Sequence, residues 1–482
     1  MQRITKYIVC CLLVFAATAC SDDFLDLQPQ QSISTDAFLQ SMGDFESAMI
    51  GGYNQMQLAD WYGRYMLLIP DIMGNDVKQN ASANRGAAWA EYIGAPTTTQ
   101  NENREFWQEI YQGIDMMNRM INSEFTPPAA RTADFNQLIG EAYTYRALGH
   151  FDLVRLFGQH YTYTADASHP GVPIVTVFDI EAKPTRNTVA EVYDQVVSDL
   201  QMGIDLMAAE STSNNRFTRQ AAQALLARVY LYMENYTGAE NMATAVINSG
   251  RFSLVDALNY PTQFLTGASP EAIMELTFNG QDNPGSDHIG GMYKETGYGD
   301  YLPSQDLLDL FDAGDVRSTM FAFDDMLDGT VYASGDGLGR RIDKYPSAGA
   351  AIGTDNVPII RLSEVYLIRA EARARKAGPD EAGALADLNM IRERANPTAT
   401  FGPLTGQALI DEIMMERRRE LCFEGHQVFD ITRTKQDLVR TDCTSADAAC
   451  TIAYPNDRFV LAIPQAELDA NPNMVQNPGY GL

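Results

Sequence analysis

Apolar residues return at three- and four-residue intervals along most of this chain, and the stretches that carry the rhythm predict helices. They are Phe45–Gln57, Asn103–Ile121, Asp134–Phe157, Thr188–Met207, Thr218–Tyr232, Ala239–Asn248, Leu362–Ala377, Glu381–Arg394 and Gln407–Cys422. Strict alternation is scarce. Gly171–Val175 and Phe459–Ile463 are the two segments that predict strands, both short. Between the helices run polar, glycine-rich stretches without period: residues 78–101 around Trp89 and Tyr92, residues 279–301 around Tyr293, Tyr298 and Tyr301, and residues 328–356. Stretches of that length inside a compact domain are functional or mobile.

Two helix pairs share an internal spacing. Leu226, Ala227 and Tyr230 precede Ala239 across an Asn235–Gly238 turn, and Ala370 precedes Ala382 across Gly378-Pro379-Asp380. Small residues at those points let antiparallel helices approach closely, a pattern that resembles the tetratricopeptide repeat. One pair cannot bury its apolar face alone, so the pairs should stack. The fold class predicted is mainly α, an interrupted tetratricopeptide-like helical-repeat scaffold with long irregular loops and a few short strands.

The first residues are of another kind. Arg3 and Lys6 precede an apolar run from Tyr7 to Ala19, which ends in the small residues Ala17-Thr18-Ala19 before Cys20. Residues 1–19 read as a signal peptide, too short in its apolar core to span a bilayer, which takes about 20 residues. A cysteine directly after small residues resembles a bacterial lipobox, with Ala17 where Leu is usual. Cys20 is therefore the expected lipidation site, residues 20–36 the tether, and residues 37–482 one domain whose halves, 37–260 and 261–482, share one scaffold. The lipid is then the only membrane contact. Cys443 and Cys450 flank a small polar loop in an exported chain and suit a local disulfide. Cys422, in an apolar helical context, reads as a buried thiol.

Charge and motifs narrow the function mostly by exclusion. Against 35 Lys and Arg stand 63 Asp and Glu, a formal net charge of -28, so no nucleic-acid partner is expected. No GxSxG, HExxH or phosphate-binding glycine loop occurs, and no spacing suggests a metal or a cofactor, so the chain reads as a binding protein and not an enzyme. Ser286-Asp287-His288 places triad residue types side by side, but adjacency is not triad geometry. Asp324–Gly329 looks like a calcium loop until Met326 and Gly335 occupy positions that need oxygen ligands. Glu412, Glu416 and Glu420 recur at four-residue spacing among Arg417, Arg418 and Arg419, which reads as a salt-bridged network pinning that helix to the scaffold.

Three sequence stretches carry a family resemblance. Arg146-Ala147-Leu148-Gly149-His150-Phe151-Asp152-Leu153-Val154-Arg155-Leu156-Phe157-Gly158 resembles a helix of the SusD/RagB family, followed by matching Gly171-Val172-Pro173-Ile174 and Pro184-Thr185-Arg186. Glu416–His426 resembles that family's ERRxELxFEGxR, with His426 in place of the usual Arg. The ending Ile463-Pro464, Glu467-Leu468 and Asn471–Tyr480 resembles its IPxxEL and NPxxxQNPGY. The resemblance implies an outer-membrane lipoprotein, exposed on the surface of a Bacteroidetes-type bacterium. It implies a SusC-like TonB-dependent transporter as partner, to which a captured glycan, or in some members a peptide, is handed. A structural subunit without its own ligand is a further alternative.

The matching motifs read as scaffold, so the ligand is expected at the loops. Sugars present flat C–H faces and hydroxyl edges, which suit aromatic platforms beside amide and charged groups. Trp89 and Tyr92 with Asn80 and Arg85 are the candidates for one wall; Tyr293 and Tyr298 with Asn283 or Asp287 are the candidates for the other. Trp107, on a helix beside Phe106 and Ile110, is expected in the core, and Trp61 and Tyr62 at the edge of the first helix.

Overall fold

A computed structural model describes residues 39–80, 83, 85–86, 101–209, 213–265, 267, 269–294, 296–323, 340–347, 351–442 and 449–480. The predicted signal peptide, Cys20 and the tether lie outside these residues, as does the Asp324–Gly329 stretch. The nine predicted helices are all present: α1 (Met42–Met56), α3 (Asn101–Ile121), α4 (Thr132–Phe157), α5 (Val189–Leu206), α6 (Arg219–Tyr232), α7 (Tyr236–Asn248), α10 (Leu362–Arg375), α11 (Glu381–Ala395) and α12 (Gly406–Leu421). Unforeseen are α2 (Tyr65–Ile72) and the short α8 (Ile289–Tyr293), α9 (Gln305–Leu308), α13 (Gln427–Arg433) and α14 (Gln465–Ala470). Every residue of α2 is buried, so it has no polar face and no amphipathic rhythm to read.

Side chains fix where the helices begin. At α5 the Thr188 hydroxyl accepts from the Glu191 N–H while the Glu191 carboxylate accepts from the Thr188 N–H, a reciprocal cap, and Ser41 with Asp44 does the same at α1. The helices pack as pairs, α4 on α5, α6 on α7 and α10 on α11. Helix α7 also packs on α10, so the two repeats that are far apart in sequence are neighbours in space. Ala239 and Ala243 on α7 and Ala370 and Ala372 on α10 are fully buried, small enough for the axes to approach closely.

The strands differ from expectation. Those present among the described residues pair in antiparallel twos: β1 (Val77–Gln79) with β3 (Tyr301–Pro303), β2 (Ala272–Leu276) with β6 (Val357–Arg361), β4 (Phe321–Phe323) with β5 (Arg340–Ile342), and β7 (Leu438–Val439) with β8 (Thr451–Ile452). Strands β2 and β6 are buried along their whole length, which removes the alternation a sequence reading needs. Conversely, Gly171–Val175 and Phe459–Ile463 join no ladder: Phe459 closes a 3-10 turn (Asp457–Phe459), and the residues after it, like Gly171–Val175, run on outside any strand. The Ile174 N–H donates to the Asn187 side chain and the Val175 N–H to His150 Nε2. At the second segment Gln476 accepts from the Ile463 N–H and donates to its carbonyl, while Asn477 Nδ2 donates to the carbonyls of Leu461 and Phe157. Amide side chains of the closing Gln-Asn-Pro-Gly-Tyr motif thus replace a neighbouring strand.

Helix α12 is held by the charge network that its spacing predicts. Glu416 meets Arg317 at 2.7 Å and Arg419 at 2.9 Å, and Glu420 meets Arg317 at 3.1 Å, Arg361 at 2.6 Å and also Arg394. Burial alone would raise the Glu420 pKa, but Arg394, Arg361 and Arg317 hold it well below the usual carboxylate range. His426 fits the same interior: burial and the neighbouring Arg417 keep its pKa far below the usual histidine value, so it sits there neutral. Trp107 is in the core as expected; Trp61 and Tyr62 are buried too, both hydrogen-bonded to Asp152. Cys422 is buried and free, and Cys450 is disulfide-bonded, while Cys443 lies outside the described residues.

Candidate functional site

The pairing of β1 with β3 brings Arg85, a candidate of one wall, beside Tyr298, a candidate of the other. Register Gln79↔Tyr301 places the chain after β1 against the chain before β3. The Asn80 N–H donates to the Asp300 carbonyl at 2.8 Å and its Nδ2 to the Gly299 carbonyl at 3.2 Å, which extends the ladder past the strand. From there Arg85 reaches across. Its guanidinium lies 3.7 Å from the Tyr298 ring centroid and pairs with Asp300 at 3.0 Å, while Tyr301 Oη donates to the Arg85 carbonyl at 2.5 Å.

A second chain of contacts starts at the Tyr298 hydroxyl. It donates to Asp287 Oδ1 at 3.1 Å, and Arg64, just ahead of α2, donates to the same oxygen at 2.7 Å. Arg85, Tyr298, Asp287 and Arg64 therefore form one continuous constellation. It remains open: the Arg85 side chain is 45% exposed and that of Asp287 50% exposed. Tight backbone geometry holds the ring in place. The Tyr298 N–H donates to the Gly291 carbonyl at 2.7 Å, and a Cβ on Gly297 would sit 2.4 Å from that oxygen, so only glycine fits there.

The remaining candidates separate. Tyr293, expected beside Tyr298, is instead a core residue, 1% exposed and packed against Phe423 with the ring centroids 5.6 Å apart and the planes tilted. Helix α8 turns it inward, and burial drives its phenol pKa well above the usual value. Asn283 donates to the Asn279 carbonyl and accepts from the Gly285 N–H, so it shapes its own turn. Asn80 is buried and positions the strand. Trp89 and Tyr92 lie outside the described residues. Arg64 and Asp300 were missed. Asp300 follows the flagged Tyr298 by two residues and was within reach of a sequence reading; Arg64 lies 223 residues before Asp287, and nothing local points to it.

The constellation offers a ring under a guanidinium, a second guanidinium and two carboxylates, each held by the contacts above, and no group set for catalysis among them. His288, next to Asp287, does not join it. Its ring is buried against Phe278 and Tyr345, and its Nδ1 accepts from the Gly290 N–H. Among the described residues no cluster of three or more His, Cys, Asp or Glu side chains could hold a metal ion, and no helix is long and apolar enough to cross a membrane.

A helical-repeat scaffold that presents such groups on loops defines a ligand-binding class of protein. Comparison with known proteins makes the assignment specific. Residues 23–231 match a family model described as starch-binding and associating with the outer membrane, and residues 339–480 match the SusD family model. A SusD superfamily protein from Bacteroides thetaiotaomicron is 32% identical and superimposes with a TM-score of 0.85 over 91% of this chain and 100% of that one. Another from Bacteroides vulgatus is 26% identical, with a TM-score of 0.81 over 92% and 100%. The starch-binding protein SusD of Bacteroides thetaiotaomicron is 34% identical over 145 residues, which are 29% of this chain and 24% of that protein. The chain belongs to the SusD/RagB family.

Proposed function

We propose that this protein captures an oligo- or polysaccharide at the outer-membrane surface and passes it to a SusC-like TonB-dependent transporter. The observation that carries the reading is the Arg85–Tyr298–Asp287–Arg64 constellation. A sugar ring has C–H faces that stack and hydroxyls that both donate and accept, and this set offers a ring edge, guanidinium donors and carboxylate acceptors held in fixed geometry. The starch-binding description of the matching family and the name of its relative support a glycan over a peptide. Trp89 and Tyr92, close to Arg85 in sequence, complete the platform in this reading. Cys20 carries the lipid, whose acyl chains are the membrane attachment of a body without a spanning helix among its described residues.

The test is calorimetric titration of the soluble body, residues 21–482, with a glycan panel and a peptide panel. Saturable binding to one glycan class, weakened about tenfold or more by Tyr298→Ala and by Trp89→Ala, is the expected result. Binding that both substitutions leave intact, or binding to peptides alone, overturns the assignment of site or of ligand respectively. Co-purification of the lipidated chain with a β-barrel transporter tests the delivery step.

A further inference from the structure

A second cleft, of about 600 Å³, opens where the C-terminal end of α3 meets the loop that follows Pro173. None of its lining residues belongs to the Arg85–Tyr298 constellation. Its volume lies within the roughly 300–1,000 Å³ typical of small-molecule sites. Helix α3 pins the loop backbone from below: Asn118 Nδ2 donates to the Val175 carbonyl at 3.0 Å and Asn122 Nδ2 to the Thr176 carbonyl at 2.8 Å. The next residues are left exposed by that anchoring, Val177 at 62%, Phe178 at 40% and Ile180 at 82%. Three large apolar side chains within four residues gain nothing from the core here. Arg119, itself paired with Asp115, lies 3.7 Å from the Phe178 ring centroid and holds that ring upright at the cleft.

We propose that this cleft is a second saccharide subsite, selective for neutral glycans. Phe178 supplies the flat apolar surface, already oriented at no further entropic cost on binding. Among the described residues Glu124, exposed at the cleft, has no ion-pair or hydrogen-bond partner, and Asn122, also exposed, spends its Nδ2 on the Thr176 and Asn118 carbonyls and keeps its Oδ1 as an acceptor. Both are acceptors, which hydroxyl groups satisfy and carboxylates or sulfates do not. Among the described residues Arg119 is the one cation lining the cleft, and it is committed to Asp115 and to Phe178, so a uronate or sulfated sugar would meet Glu124 uncompensated. A chain with two separated subsites grips a polysaccharide at two points, and the second contact then forms at high effective concentration.

The inference rests on glycan capture as the function, and the experiment separates the two. The soluble body and the variants Tyr298→Ala, Phe178→Ala and Glu124→Lys are titrated with a short neutral oligosaccharide and with its uronate-containing counterpart. Thermal melts confirm that each variant is folded. The expected result is two equivalents bound by the wild type, one surviving in Tyr298→Ala, and the other surviving in Phe178→Ala. Glu124→Lys should then weaken the discrimination against the uronate sugar about tenfold or more at the second equivalent. A single equivalent, abolished by Tyr298→Ala and untouched by Phe178→Ala, overturns the second subsite and leaves the loop site standing. A single equivalent abolished by Phe178→Ala alone overturns the loop site instead. No binding to any glycan overturns both.

Discussion

Replacing Glu420 by glutamine isolates what the buried charge of α12 does for stability. The carboxylate is fully buried and faces Arg317 at 3.1 Å, Arg361 at 2.6 Å and Arg394. Glutamine keeps the volume, so no cavity term enters. The three arginines retain other partners: Asp315 and Glu416 for Arg317, Glu271 and Glu424 for Arg361, and Glu271 for Arg394. None is orphaned outright, so the expected loss is at the lower end of the range for breaking a buried pair, about 3 kcal/mol. The effect carries a pH signature. Because the folded pKa lies below the unfolded value near 4.5, the stabilisation is fully present above that value and is lost as pH falls through the folded one. Urea unfolding of the soluble body at neutral pH and at stepwise lower pH measures both effects. Glu46→Gln, at an exposed pair with Arg131, serves as the control and should leave the midpoint unchanged. A loss of less than about 1 kcal/mol, the scale of an exposed pair, or a difference that acidification leaves constant, refutes the reasoning.

Asn477→Ala removes the donor to the carbonyls of Phe157 and Leu461; Phe157 keeps the Arg186 guanidinium, so the cost should be about 1–3 kcal/mol for the Leu461 carbonyl left buried and unpaired, and a chemical melt indistinguishable from wild type argues that water replaces the amide. Glu275, pushed by burial up to about 8, holds a proton in the folded state that the unfolded chain releases from near 4.5 upward. Stability should therefore fall as pH rises through that interval, and Glu275→Gln should flatten the fall, checked by unfolding midpoints across the range. If Cys443 is the partner of Cys450, alkylation of the denatured, unreduced soluble body labels Cys422 alone, and reduction raises the count to three thiols by mass spectrometry.

Helices α1, α3, α5, α7, α11 and α12 were legible because each keeps buried and wet positions in alternation, so the period of burial is written into the order of residues. Helices α4, α6 and α10 are buried nearly all round and were legible from their length and from apolar residues at helical spacing. The same logic made α2, β2 and β6 invisible: buried all round, they keep no polar side to mark the period. Gly171–Val175 and Phe459–Ile463 have strand-like composition, but whether an extended segment joins a ladder depends on what lies beside it, and here Asn187, His150, Gln476 and Asn477 do. At the site, the residue types were readable from aromatic and charged side chains set in glycine-rich loops. Which of them meet was not. Tyr293 and Tyr298 stand five residues apart in similar surroundings, yet α8 turns one into the core while the Gly291–Gly297 contact holds the other beneath Arg85. By itself the sequence determined the family, the repeat scaffold and that α12 carries a charge network, since these rest on motifs, on local period and on charges spaced along one helix. That Arg317, Arg361 and Arg394 from other elements answer its glutamates was decided by the tertiary structure. Only the tertiary structure decided that Arg64 and Asp287, 223 residues apart, share one hydrogen-bonded cluster, because that contact is made by strand pairing and loop closure between segments with no local signal for each other.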